Sequence, residues 1–253
     1  MSSSAQAEPL IQVSGLYKFH GPSNEESTGL REVSFTVEKG KFVCIMGPSG
    51  SGKSTLLHLI SGLDEASAGK VQLAGKNTVG LSPRQRTLLR RETVGYVFQF
   101  FNLLPHLTLR ENIGLPLSIA GERPEAHKER IDGLIARFGL EKRADALPHQ
   151  LSGGEMQRTS IARALAGGQP LLLCDEPTGN LSQKAGAEVM ETLRKVVDDD
   201  GKTVLLVTHN PRDAAFADEV RFLVDGKIVD EPRLTGPGLE VDQVHEALKQ
   251  LSI

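Results

Sequence analysis

Short apolar runs alternate along the chain with longer segments whose apolar residues recur every three or four positions. The runs Leu10–Val13, Val33–Val37, Phe42–Met46, Val71–Leu73, Val94–Phe98, Leu171–Cys174, Thr203–Thr208 and Arg221–Val224 predict strands. Phe42–Met46 and Leu171–Cys174 are apolar throughout, as strands buried on both faces are. Asp225-Gly226 predicts a hairpin turn into Lys227-Ile228-Val229. Strands spaced by helical patterns predict an α/β fold, a mostly parallel sheet with crossover helices. From about Phe100 to Gln150 the pattern turns helical and carries the charged segment Glu122–Arg130. It predicts a helical lobe, about residues 100–167, inserted into the core.

Charge changes this picture at one end only. The 29 Lys+Arg and 32 Asp+Glu leave a net charge of −3. From Asp230 onward there are five acids and two bases, so the tail carries the whole imbalance. Gly236-Pro237-Gly238 breaks the chain, and Val241, Val244, Ala247, Leu248 and Leu251 then recur at helical spacing. The expected division is a domain over 1–229 and an acidic tail over 230–253, with a short amphipathic helix on a flexible joint. Packing on its own domain is the expected use of that helix, ahead of binding a partner. The balanced remainder shows no basic excess, so nucleic-acid binding is not expected. No run approaches the ~18 apolar residues of a membrane span, and Met1–Leu10 lacks the charged and apolar regions of a secretory signal. Cys44 and Cys174 lie inside apolar strands and are expected to be small core residues rather than ligands or disulfide partners.

Three motifs carry chemistry. Gly47-Pro48-Ser49-Gly50-Ser51-Gly52-Lys53-Ser54 matches G-x-x-x-x-G-K-[ST], between a predicted strand and the apolar helix Thr55–Ser61. Its glycines let successive N–H groups turn inward at a helix N-terminus, where anions bind. Lys53 would reach the β- and γ-phosphates of a nucleotide, and the Ser54 hydroxyl would ligate Mg²⁺. Leu171–Cys174 runs straight into Asp175 and Glu176, at the sheet edge where such folds bind ligands. Asp175 would hold Mg²⁺, and Glu176 would orient or deprotonate an attacking water. Ser152, Gly153 and Gly154 open the helix Glu155–Leu165 with an N-cap and exposed N–H groups, a second anion site.

Leu151-Ser152-Gly153-Gly154-Glu155 resembles the signature of the ATP-binding-cassette (ABC) ATPases, and the resemblance covers nearly the whole chain. It implies the phosphate-loop NTPase fold of that family, with an antiparallel β portion beside the parallel core. Gln99 is similar to the family's Q-loop glutamine, a Mg²⁺ contact, and His209 to its switch histidine. Tyr17 stands where the family stacks an aromatic ring on adenine, with Thr55 completing the nucleotide contacts. The family's signature closes on ATP held by a second protomer, which implies a head-to-tail homodimer sandwiching two ATP.

Phe98–Thr108 and Asp175–Leu181 resemble, more narrowly, the branch of the lipoprotein-releasing, macrolide-exporter and cell-division ATPases. That resemblance implies an ATP-hydrolysing subunit for export or extraction of lipids, lipoproteins or drugs. Its partner would be an integral membrane permease subunit of the MacB/LolC/FtsX type, received by the apolar stretch Phe100–Leu109 on the cytoplasmic face of the membrane. The alternative is a motor that moves such a partner without carrying cargo, in cell division or cell-wall hydrolysis. A soluble ABC ATPase of DNA repair or translation fits poorly, lacking coiled coil and second cassette. One departure is Ser182, where the family's D-loop carries aspartate; a small loss of rate is expected from it.

Overall fold

The computed structural model describes residues 9–19, 28–236 and 238–253. Pro237 of the expected chain break and most of the N-terminal segment, residues 1–8, lie outside the described residues. First come strands β1 (Ile11–Phe19), β2 (Thr28–Val37) and β3 (Phe42–Met46), helix α1 (Lys53–Ser61), and strands β4 (Ala68–Leu73) and β5 (Lys76–Asn77). Helix α2 (Pro83–Thr93) leads into β6 (Val94–Val97), and α3 (Leu109–Ile119), α4 (Lys128–Arg137) and α5 (Gly153–Leu165) follow. Then come β7 (Leu171–Asp175), α6 (Gln183–Asp200), β8 (Thr203–Thr208) and the one-turn α7 (Pro211–Ala214). Strands β9 (Glu219–Val224) and β10 (Lys227–Thr235) and helix α8 (Val241–Gln250) complete the chain.

Two sheets form. The larger runs β10-β9-β3-β8-β7-β6, parallel except for β10. The smaller, β2-β1-β4-β5, is antiparallel. Side chains of a strand alternate between faces, and β3 is buried on both. Phe42, Cys44 and Met46 join one cluster with α3, α5, α6 and α8. Val43 and Ile45 join another with α1 and the antiparallel sheet. This double covering is why β3, and β7 up to Cys174, are apolar at every position, and their parallel pairing through β8 brings the carboxyl ends of both strands to one edge. Both cysteines are fully buried, and burial pushes each thiol's pKa up.

Strand ends depart from the sequence pattern where pairing, not polarity, sets the limit. Strand β1 continues past Val13 to Phe19, through register shifts against β2 that pass over Ser14, Gly15 and Tyr17. Helix α2 escapes the periodicity because only Leu89 and Thr93 of it are buried; a capping box between Ser82 and Gln85, with Pro83 behind it, starts the helix. The boundary expected at residue 229 falls inside β10, whose Leu234 and Thr235 pair with Val220 and Glu219. An edge strand tolerates the exposed acids and the proline that made this segment resemble a tail. Val244 and Ala247 of α8 are buried in the main core, and the helix packs against α7 and β10.

Candidate functional site

Two glycines shape the loop between β3 and α1. A Cβ on Gly47 would lie 2.1 Å from the Leu223 carbonyl oxygen. Gly52, at φ 102°, would place one 2.5 Å from the Gly29 oxygen, so neither position admits a side chain. Gly52 is the N-cap of α1, and no side chain caps that helix, which leaves its first-turn N–H groups open to an anion. The Lys53 ammonium is folded inward, donating to the carbonyls of Gly47 (2.8 Å) and Pro48 (2.9 Å). Burial lowers its pKa, and the nearby Glu176 and Asp175 oppose that shift. Ser51 Oγ is buried with no hydrogen-bond partner.

The second wall comes from the ends of β7 and β8. Ser54 Oγ donates to Asp175 Oδ1 at 3.0 Å, linking the loop to the acidic strand end. Burial raises the pKa of Asp175, against the pull of that hydrogen bond. Glu176 sits in left-handed backbone at φ 45°, a conformation costing about 1–3 kcal/mol in a non-glycine residue. Its N–H donates to the Val207 oxygen at 3.0 Å. Its Oε1 lies 3.0 Å from His209 Nδ1 and 3.9 Å from Lys53 Nζ. Lys53, Ser54, Glu176 and His209 face a cavity of about 740 Å³, and Asp175 lies behind Ser54 outside its lining. Ser49, Gly50, Gly52, Lys53, Ser54 and Thr55 form one side, and Gln99, Glu176 and His209 the other, with Gly29 at the rim.

Not every expected residue joins this cavity. Tyr17 does not line its described walls; it is half-buried in β1 with its ring 5.9 Å from that of Phe19. Ser152, Gly153, Gly154 and Glu155 lie apart as the N-terminus of α5, absent from the cavity lining. Ser152 Oγ accepts from the Glu155 N–H (3.3 Å), and the Glu155 carboxylate accepts from the Ser152 N–H (2.7 Å) and from Arg143 Nε (3.1 Å). Partial burial would raise the pKa of Glu155, but these donors pull it below the usual range. A Cβ on Gly153 would lie 2.9 Å from Leu181 Cδ2, which keeps the D-loop close.

A sequence model described as ABC transporter matches residues 30–179. The chain belongs to the ABC transporter family. It is 44% identical over 219 residues to the lipoprotein-releasing system ATP-binding protein LolD of Gluconobacter oxydans, covering 87% of this chain and 95% of that one. It is 42% identical over 223 residues to the macrolide export ATP-binding/permease protein MacB of Rhodopseudomonas palustris, covering 88% of this chain but only 34% of the longer protein. The solved dimeric post-hydrolysis structure of the cassette MJ0796, bound to ADP and Pi, aligns with TM-score 0.80 at 38% identity, over 89% of this chain and 98% of that one.

Other residues of this ABC protein support the site without a motif to announce them. Arg163 of α5 donates to the carbonyls of Phe101 (2.8 Å) and Asn102 (2.5 Å), both in left-handed backbone just past Gln99. Gln157, fully buried, reaches the Phe98 oxygen at 3.2 Å. Asn180 Nδ2 donates to the Gln99 oxygen at 3.0 Å. In sequence these are ordinary helix and loop residues, and only the fold gives them neighbours. An apolar groove of this ABC protein lies largely outside the stretch Phe100–Leu109. A cavity of about 400 Å³ is lined by Leu63, Phe98, Leu115, Pro116 and Ile119 together with arginines of α2; of Phe100–Leu109 only Asn102 contributes. Leu109 is core, fully buried at the start of α3, while Phe100 is 69% exposed. Among the described residues no helix is long and apolar enough to cross a membrane.

Proposed function

We propose that this chain is the ATP-binding and ATP-hydrolysing subunit of a membrane ABC transporter of the MacB/LolD type, driving export or extraction of lipids, lipoproteins or drugs through a separate membrane subunit. The observation that carries the reading is the convergence of Lys53, Glu176 and His209 on one cavity behind a glycine-shaped anion loop. A volume of about 740 Å³ suits a nucleotide. When a triphosphate enters, the Lys53 ammonium exchanges the carbonyls of Gly47 and Pro48 for phosphate oxygens. The open N–H groups of α1 and the free Ser51 hydroxyl offer further donors. Glu176 is placed to accept a proton from the water that attacks the γ-phosphate, and His209 to orient that carboxylate and the departing charge.

The donor set of Ser54 hydroxyl and Asp175 carboxylate is all oxygen and fits a hard cation. Ser54, Asp175 and Gln99 would hold Mg²⁺, which supplies charge neutralisation at the phosphate oxygens. Tyr17, half-buried at the end of β1, would stack on adenine. Ser152, Gly153, Gly154 and Glu155 lie outside the cavity, which supports their use against the ATP of a second protomer in a head-to-tail homodimer. The arginine-edged apolar groove, with Ile119 63% exposed, would take the partner's cytoplasmic segment and hold the chain on the inner face of the membrane. Ser182 keeps a structural duty as N-cap of α6, accepting from the Ala185 N–H at 3.4 Å.

Glu176→Gln tests the reading. Hydrolysis should fall at least 100-fold while fluorescent-ATP binding and ATP-driven dimerisation on a sizing column persist. Parental turnover in that variant would remove Glu176 from the chemistry.

A further inference from the structure

Asp213, in the one-turn helix α7, is a buried acid that the hydrolytic scheme above does not use. It is 4% exposed. Its Oδ2 accepts from the Thr178 hydroxyl and, at 3.4 Å, from the Thr208 hydroxyl; its Oδ1 accepts from Asn210 Nδ2 at 3.1 Å. Both threonines are themselves buried. Their places in the chain matter. Thr178 lies two residues past Glu176, at the entry to the D-loop, and Thr208 immediately precedes His209. A second tie runs from the Asn210 N–H to Thr208 Oγ1 at 3.0 Å, and the Asn210 side-chain oxygen caps α7 at the Arg212 N–H, 3.1 Å away. One carboxylate therefore fastens the two segments that carry Glu176 and His209, whose side chains meet at 3.0 Å.

We infer that Asp213 is a positioning residue for hydrolysis, which holds the Glu176–D-loop turn and the His209 turn in one register. Glu176 stands in strained left-handed backbone, and such a conformation persists only where its surroundings over-determine it. A buried acceptor shared by three donors supplies that constraint from behind the site, and charged acceptors make the stronger hydrogen bonds. Burial raises the Asp213 pKa while the three donors oppose the shift. Asp213 does not itself line the cavity, and its side-chain hydrogen bonds go to Thr178, Thr208 and Asn210 rather than to the phosphate loop, so it acts on the geometry of hydrolysis rather than on nucleotide affinity.

The inference rests on the ATPase reading, and its test separates the two. In the full-length chain, Asp213→Ala should lower kcat at least tenfold with KM for ATP within twofold, and Asp213→Asn should restore part of the loss. Thr178→Val and Thr208→Val, which keep the side-chain shape, should each lower kcat severalfold. Combined with Asp213→Ala they should add little, because all three remove the same clamp. If Asp213→Ala fails to fold, the two threonine variants decide alone. Parental kcat in them, or kcat and KM moving together, overturns the clamp. Glu176→Gln is measured in parallel: if it too hydrolyses normally, the ATPase assignment fails and not merely the role of Asp213.

Discussion

Two helices of this chain start beside glycines of a sequence motif, and their N-termini differ. At α1 the N-cap is Gly52, no side chain satisfies the first turn, and a buried lysine stands beside it. At α5 the N-cap is Ser152, and a capping box with Glu155 occupies donors that an anion would otherwise take. The first end is left unsatisfied by its own chain and gathers Lys53, Ser54 and Glu176 around the vacancy in hydrogen bonding. The second has its Ser152 and Glu155 N–H groups satisfied by the box and carries a carboxylate of its own. On the proposed function the first end is the anion site of its own chain, and the second adds its glycine N–H groups to a site on a second protomer. The proposed function gives the two ends different tasks, binding and chemistry at α1 and closure at α5.

Three changes probe that contrast. Lys53→Ala should weaken fluorescent-ATP binding by about 100-fold, roughly 2.7 kcal/mol, since it removes the only ammonium lining the cavity among the described residues. Binding within threefold of the parent would mean that the α1 end does not depend on its cation. Ser152→Ala should leave the isolated chain's ATP affinity within twofold. It should cost about 1 kcal/mol of stability through the lost cap, read as a lower urea midpoint, and slow hydrolysis by reducing closure. A loss of affinity as large as that of Lys53→Ala would erase the distinction between the two helix ends.

The smallest effect concerns Glu155. Its pKa is lowered in the folded chain, so its contribution to stability is present above the unfolded value near 4.5 and is lost as pH falls through the folded one. Glu155→Ala should therefore melt below the parent by a constant margin from pH 8 to pH 5, and the two should converge at lower pH. A margin that widens on acidification would contradict the box geometry.

Much of this was legible in one dimension. Most residues that line the cavity, Ser49, Gly50, Gly52 to Thr55, Gln99, Glu176 and His209, stand in local motifs, because backbone conformation and phosphate chemistry demand particular residues at fixed short spacings. Strands β3 and β8 were legible to the residue, since burial on both faces leaves an unbroken apolar run. Strand β10 was legible only to Val229, because an edge strand with one open side accepts Asp230, Glu231 and Pro232. The apolar cavity at the junction of α2, β6 and α3 takes only Asn102 from Phe100–Leu109. Apolar content alone does not tell an exposed Phe100 from a buried Leu109, and both carry the same hydropathy signal.

By itself, then, the sequence determined the fold class, the phosphate loop, the acidic strand end and the family, all of which reside in contiguous residues whose conformational and chemical demands are local. Tertiary structure alone decided what stands between them. It brought Glu176 to 3.0 Å from His209, separated the capped end of α5 from the cavity, set Arg163 behind the Gln99 turn, and buried Asp213 under the two threonines that flank the chemistry. Such contacts join residues far apart in the chain, and no local propensity encodes them: they follow from which strands lie side by side and from the requirement that every buried polar group find a partner.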